Sequence, residues 1–153
     1  MTTIKVTIEG IEAAKVALNN LASSIENPGE KLMSRVGDAM LEDVDQRFAT
    51  RGYGTWPANA PSTIRRKGHG NVLVESGAMR ASTKISIQGN EAALTVPHGG
   101  RNGSPAVPGY HQRGTGRMPQ RQIVDVTPQL MLLLSEALSQ WISDVVAAFG
   151  KEL

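Results

Sequence analysis

The sequence contains no cysteine, which excludes disulfides and thiolate metal sites together. Its longest uninterrupted apolar run, Leu130 to Leu134, falls far short of the roughly 20 residues that span a bilayer. No basic-then-apolar leader opens it, so the expectation is a soluble protein made in the cytoplasm, with no membrane partner. Aromatic residues are few, at 4%. Acidic residues are scarce in one region only. Between Gln46 and Val124 there are two, Glu75 and Glu91, against eleven Arg and Lys, a net +9. The flanks hold five basic and twelve acidic residues, a net −7, and the formal total of +2 conceals the division. Such a chain should present one basic and one acidic face. That suits either an anionic partner or subunits stacking basic surface against acidic.

What is present reads as one domain over residues 1–153, with a core from about 1–50, 72–96 and 123–149 and long loops at about 51–71 and 97–122. "TIKVTIEG" alternates in the manner of a half-buried strand ended by Gly10. Ile11, Ala14, Leu18, Leu21 and Ile25 then fall at helical spacing, and "NPGE" ends that helix. Leu32, Val36, Met40, Val44 and Phe48 mark a second helix whose polar face carries Glu42, Asp43 and Asp45. "APSTIRRKG" is compatible with one helical turn. "NVLVESGAMRASTKISIQGNEAALTVP" reads as strands, with Lys84–Gln88 and Ala92–Val96 the arms of a hairpin. The C-terminal helix, from about Thr127 to Phe149, opens with Thr127 as cap and Pro128 at its first position. Its stripe is Leu130, Leu134, Leu138, Trp141, Val145 and Phe149, expected to pack on a sheet. Phe48, Trp56, Leu134, Leu138, Trp141 and Val145 are the expected core. The fold class is α+β: a small antiparallel or mixed sheet on two or three helices, with a long basic Gly/Pro-rich loop.

Catalytic chemistry finds little support. His69, His98 and His111 are 29 and 13 residues apart in Gly-rich loops, without the close spacing of metal ligands on one helix. Ser76 lacks a nucleophile-elbow context, and "GTGR" lacks the Lys-Ser/Thr ending of a phosphate loop. Carboxylates for acid–base or magnesium chemistry are nearly missing from the loops. The expectation is no enzyme, no metal and no cofactor. "PGYHQRGTGRMPQRQ", Pro108 to Gln122, instead combines three arginines and a histidine with glycines and prolines and has no acid. Gly114, Gly116 and Pro119 oppose a helix there, so Arg113, Arg117 and Arg121 read as strung along an extended arm. "IRRKGHG" adds Arg65, Arg66 and Lys67. With no helix-turn-helix, zinc finger or aromatic-studded sheet, any nucleic-acid contact would be to phosphates, without base reading. The alternative is that these arginines pair with acidic side chains of a neighbouring subunit.

The order of "GTWPANAPSTIRRKG", "LVESGAMRAS", a hairpin, "YHQRGTGRMPQRQIV" and an amphipathic last helix resembles the phage virion morphogenesis family. Members of that family act in tail completion and head–tail joining. Trp56, Pro57, Ser62, Thr63, Lys67, Leu73, Ser76, Gly77, Met79, Arg80 and Ser82 fall on or near its pattern, as do Tyr110, His111, Gly114, Met118, Pro119 and Arg121. His111 directly after Tyr110, the insertion "PHGGRNGSPAVPG" and Gln120 depart from it. The resemblance implies a structural virion protein made in the host cytoplasm. It would form a homo-oligomeric ring, expected to be a hexamer, at the tail–head junction, touching tail tube and neck or connector proteins with double-stranded DNA passing through. A neck or head-closure adaptor of the same junction is the alternative, and an independent DNA-binding protein or nuclease the distant third. In this reading Tyr110, His111, Gly114, Met118, Pro119 and Arg121 meet the neighbouring subunit. Arg113, Arg117, Arg65, Arg66 and Lys67 face the DNA channel, and the 97–122 loop orders only on assembly.

Overall fold

The computed structural model of the chain describes residues 11–97 and 107–152. The strand expected before Gly10, His98 and the insertion up to residue 106 lie outside the described residues, as do the side chains of Ile11 and Ala14. Among the described residues the protein is α+β, with six helices and one two-stranded antiparallel sheet. Helix α1 (Ile11–Glu26) ends at Pro28, and α2 (Gly29–Thr50) follows at once. The last helix, α6 (Pro128–Glu152), lies along both of them. It begins as its sequence dictates: Thr127 Oγ1 accepts from the Leu130 amide at 3.2 Å, and Pro128 takes the position where a missing amide hydrogen costs nothing.

The hairpin of β1 (Lys84–Gln88) and β2 (Glu91–Thr95) pairs Ile85 with Leu94 and Ile87 with Ala92. It packs on α2 rather than on α6. Gly37 permits this approach, since a Cβ there would stand 2.7 Å from Ile85 Cγ2. Trp141 of α6 is therefore buried between helices, with Leu21 and Leu32 near it, and not against a sheet.

One core cluster joins Val44 and Phe48 of α2 to Trp56, Val72, Met79 and Ile123 from the irregular segments. Phe48 and Trp56 meet edge to face, 5.6 Å between centroids. Full burial of each such side chain contributes about 1.5–3 kcal/mol. The stretch before the hairpin is not a strand. It turns through Leu73 and Gly77, both in the left-handed region, into the short α4 (Ala78–Ala81). Neither expected loop is structureless in its described part. Residues 51–71 contain α3 (Pro61–Lys67). Residues 107–122 contain α5 (Val107–Arg113) and a tight turn bridged between Thr115 and Met118. The arginines there are not on an extended arm.

Two stripes differ from expectation. On α1, Leu18 and Ile25 point outward along with Val16. On α6, Leu130, Leu133 and Trp141 are buried and Leu134 and Val145 half-buried, but Leu138 is 44% exposed, because α1 and α2 cover too narrow an arc of the helix.

Candidate functional site

The irregular segments are held together by side chains bonding to backbone. Arg51, Gly52, Tyr53 and Gly54 all have φ between +54° and +81°, a left-handed winding that reverses the chain after α2. It folds Tyr53 back so that its hydroxyl donates to Asp43 Oδ1 at 2.9 Å. Asp43, expected on a polar face, is only 2% exposed and pairs with buried Arg47 at 2.7 Å. Arg47 continues outward, donating to the carbonyls of Asp125 at 2.9 Å and Gln122 at 3.3 Å. Trp56 Nε1 donates to the same Gln122 carbonyl at 3.0 Å. Gln112 of α5 clamps the bend at Ile123 and Val124: Oε1 accepts from their amides at 2.9 and 3.1 Å, and its amide group donates to the Val124 carbonyl.

This scaffold brings α3, the 73–79 turn, α5 and the 117–121 turn around one cleft of about 400 Å³. Thr63, Lys67, Leu73, Ser76, Gly77 and Met79 line one side, and His111, Arg117, Met118, Pro119 and Arg121 the other. Three stretches separated in sequence thus share a surface. Four of its side chains are basic: Arg66, Lys67, Arg117 and Arg121. Its one carboxylate, Glu75, is bonded to Arg66 at 2.8 Å at the exposed mouth. The charge is felt inside. Burial pushes His111 below the usual imidazole value, helped by Arg121 and Lys67. Lys67 is lowered by burial first, with Arg66 and Arg121 adding to it and Glu75 opposing. His111 Nδ1 is buried with no hydrogen-bond partner among the described residues.

Arg121, expected at a subunit interface, is bonded within its own chain. Its side chain is 6% exposed, and Nε and Nη2 donate to the carbonyls of Pro57 and Ala58, both at 3.0 Å. Its own amide donates to the His111 carbonyl at 2.8 Å, fixing the imidazole-bearing helix to the turn. Gly114 is equally internal: φ is +71°, and a Cβ would lie 3.0 Å from the Gln120 amide nitrogen. Tyr110 is half-buried and does not line the cleft. Of the arginines and lysine assigned to a DNA channel, Arg66, Lys67 and Arg117 line the cleft, whereas exposed Arg65 and Arg113 do not. Asn59, Glu75, Arg47 and Gln112 were not singled out by sequence. Only the i, i+4 spacing of Asp43 and Arg47 carried a signal, which α2 amphipathicity masked.

A second surface is apolar. Met131, Leu132, Leu138, Ile142 and Val146 of α6 and Val16, Leu18 and Ile25 of α1 are exposed, and Ile25, Leu138, Ile142 and Val146 line one apolar groove. By length and composition Pro128–Gly150 is apolar enough to cross a membrane, and most of it is not buried. The helix is nonetheless amphipathic, and its Asp144 is ion-paired to Arg35 of α2. No protein-family model, no curated protein and no solved structure matches the chain.

Proposed function

We propose that this chain is a structural subunit of a tailed-phage virion, completing the tail as a homo-oligomeric ring at the head–tail junction through which DNA passes. The observation that carries the reading is the convergence of the three motif-bearing stretches, 61–67, 73–80 and 111–121, on one basic cleft. Motif residues from separate segments that share one surface, or lock the backbone forming it, are what a resemblance resting on order alone requires. The apolar groove lined by Ile25 of α1 and Leu138, Ile142 and Val146 of α6 supports assembly, since exposed apolar surface of this kind marks interaction sites. It takes over the interface role first given to Arg121. Arg113 and Arg65, exposed outside the cleft, remain the side chains that meet DNA phosphates, without base reading.

Native mass spectrometry of the purified chain tests the ring: a discrete species several-fold above the 16.3 kDa subunit is expected. A monomer at every concentration, also in the presence of tail tubes, refutes it. In infected cells lacking the protein, overlong tails beside filled heads are the expected phenotype, while normal-length tails left unjoined would assign it to the neck.

A further inference from the structure

We propose that the basic cleft is a receptor for an acidic protein segment, a Glu or Asp carboxylate entering between Lys67, His111 and Arg117 with Arg121 behind it. The proposal deepens the assembly reading, on which it rests for the kind of partner, because it names the chemistry by which one virion protein would seat on this one.

Three observations carry it. The first is uncompensated charge. Arg121 is buried against two neutral carbonyls and has no carboxylate partner among the described residues. Lys67 Nζ donates to the Asn71 carbonyl at 3.0 Å, leaving two of three ammonium donors for a ligand. Half-desolvated cations are stabilised most by an anion that enters their low-dielectric space. Glu75 does not serve, being held by Arg66 at the mouth. The second is a polar atom without a partner: His111 Nδ1 is buried and unbonded, beside the cations that disfavour its protonation. An incoming carboxylate reverses that field and offers an acceptor.

The third observation separates a peptide from a nucleic acid. Lys67 and Arg121 are recessed in a concavity whose walls include Leu73, Met79, Met118 and Pro119, with Arg66 and Arg117 exposed at its rim. Those walls fit the methylene stem of a Glu and an apolar neighbour. A duplex presents phosphates on a broad convex surface, and it would meet exposed Arg65 and Arg113, which lie outside the cleft.

The test follows the His111 ring by NMR in the isolated chain as pH is varied. The probes are the blocked tetrapeptide acetyl-Ala-Glu-Leu-Ala-amide, its Gln counterpart, inorganic phosphate and a short DNA duplex. Burial, Arg121 and Lys67 hold His111 down, and the other charged groups lining the cleft are Glu75 and Arg66 at the mouth and Arg117. The Glu peptide is expected to raise the midpoint saturably, and the Gln peptide to leave it in place. Exposed Arg117→Gln should weaken the Glu peptide roughly tenfold, the size of one charge-assisted hydrogen bond, and Lys67→Gln should do the same. A His111 resonance indifferent to the Glu peptide overturns the proposal. So does phosphate or duplex DNA moving it as strongly as the peptide does. Because the readout needs no ring, loss of the pocket and loss of the ring reading are seen separately.

Discussion

The helical frame and the cleft-bearing junction are built on opposite principles. In the frame, α1, α2 and α6 meet through apolar side chains at helical spacing, with Trp141 and Leu133 buried between them. In the junction, residues 51–83 and 107–125 contribute little periodicity, and polar side chains of Arg47, Trp56, Gln112 and Arg121 are spent on carbonyls and amides. A frame assembled by area tolerates substitution of one aliphatic for another. A junction assembled by satisfied hydrogen bonds does not tolerate a missing partner, since the group left behind stays desolvated.

Substitutions that remove one member of each kind set the two principles side by side. Trp141→Ala in the frame should lower unfolding free energy by about 3–5 kcal/mol in urea titrations, as large-to-small core changes do. Asp43→Ala in the junction should match it, at about 3–5 kcal/mol, because Arg47 is left buried and unpaired. Pairing Asp43→Ala with Arg47→Met should recover part of the loss. Recovery of none would show that the carbonyl contacts of Arg47 matter more than its ion pair. Gln112→Ala should cost about 1–3 kcal/mol by orphaning the Ile123 and Val124 amides, and a change indistinguishable from zero would mean that water replaces the side chain. Gly114→Ala combines positive φ with the approach to Gln120, and a melting temperature equal to wild type would deny that constraint.

The smallest effect is on pH dependence. Burial, and then the hydrogen bond to Asp43, push Tyr53 up to about 12. Between the ordinary tyrosine value near 10 and that value, the unfolded chain loses a proton that the folded chain keeps. Stability contributed by Tyr53 is complete below about pH 10 and declines above it. Tyr53→Phe should flatten the alkaline limb, and an unchanged limb would assign it to other groups.

The frame was legible where periodicity and caps coincide. Thr127–Pro128, the Pro28 break, the α2 stripe and the first arm of the hairpin follow from local rules, whereas the second arm, expected at Ala92–Val96, is Glu91–Thr95, one residue earlier. The exposure of Leu138 and Leu18 was not legible, because a stripe tells which face is apolar and not how much of it a neighbour covers. At the site, Lys67, His111, Met118 and Pro119 were named from the order of the motifs, and they do line one cleft. Arg121 was expected to meet a neighbouring subunit, and that its guanidinium would bond the carbonyls of Pro57 and Ala58 in its own chain was not legible, because those residues are distant in sequence. Glycines in the 107–122 stretch suggested freedom, yet Gly114 is required by a tight approach.

Arg47 has a further consequence. It is rooted in α2, yet its guanidinium holds the backbone of residues 122–125 and lies near the hydroxyl of Thr127, which caps α6. Neither region can open alone without stripping that guanidinium of acceptors in a dry interior. Frame and junction should therefore behave as one cooperative unit, with the Ile123 amide exchanging only through the same global opening that releases the middle of α2. The cleft is then preorganised, its shape kept by a residue that does not line it.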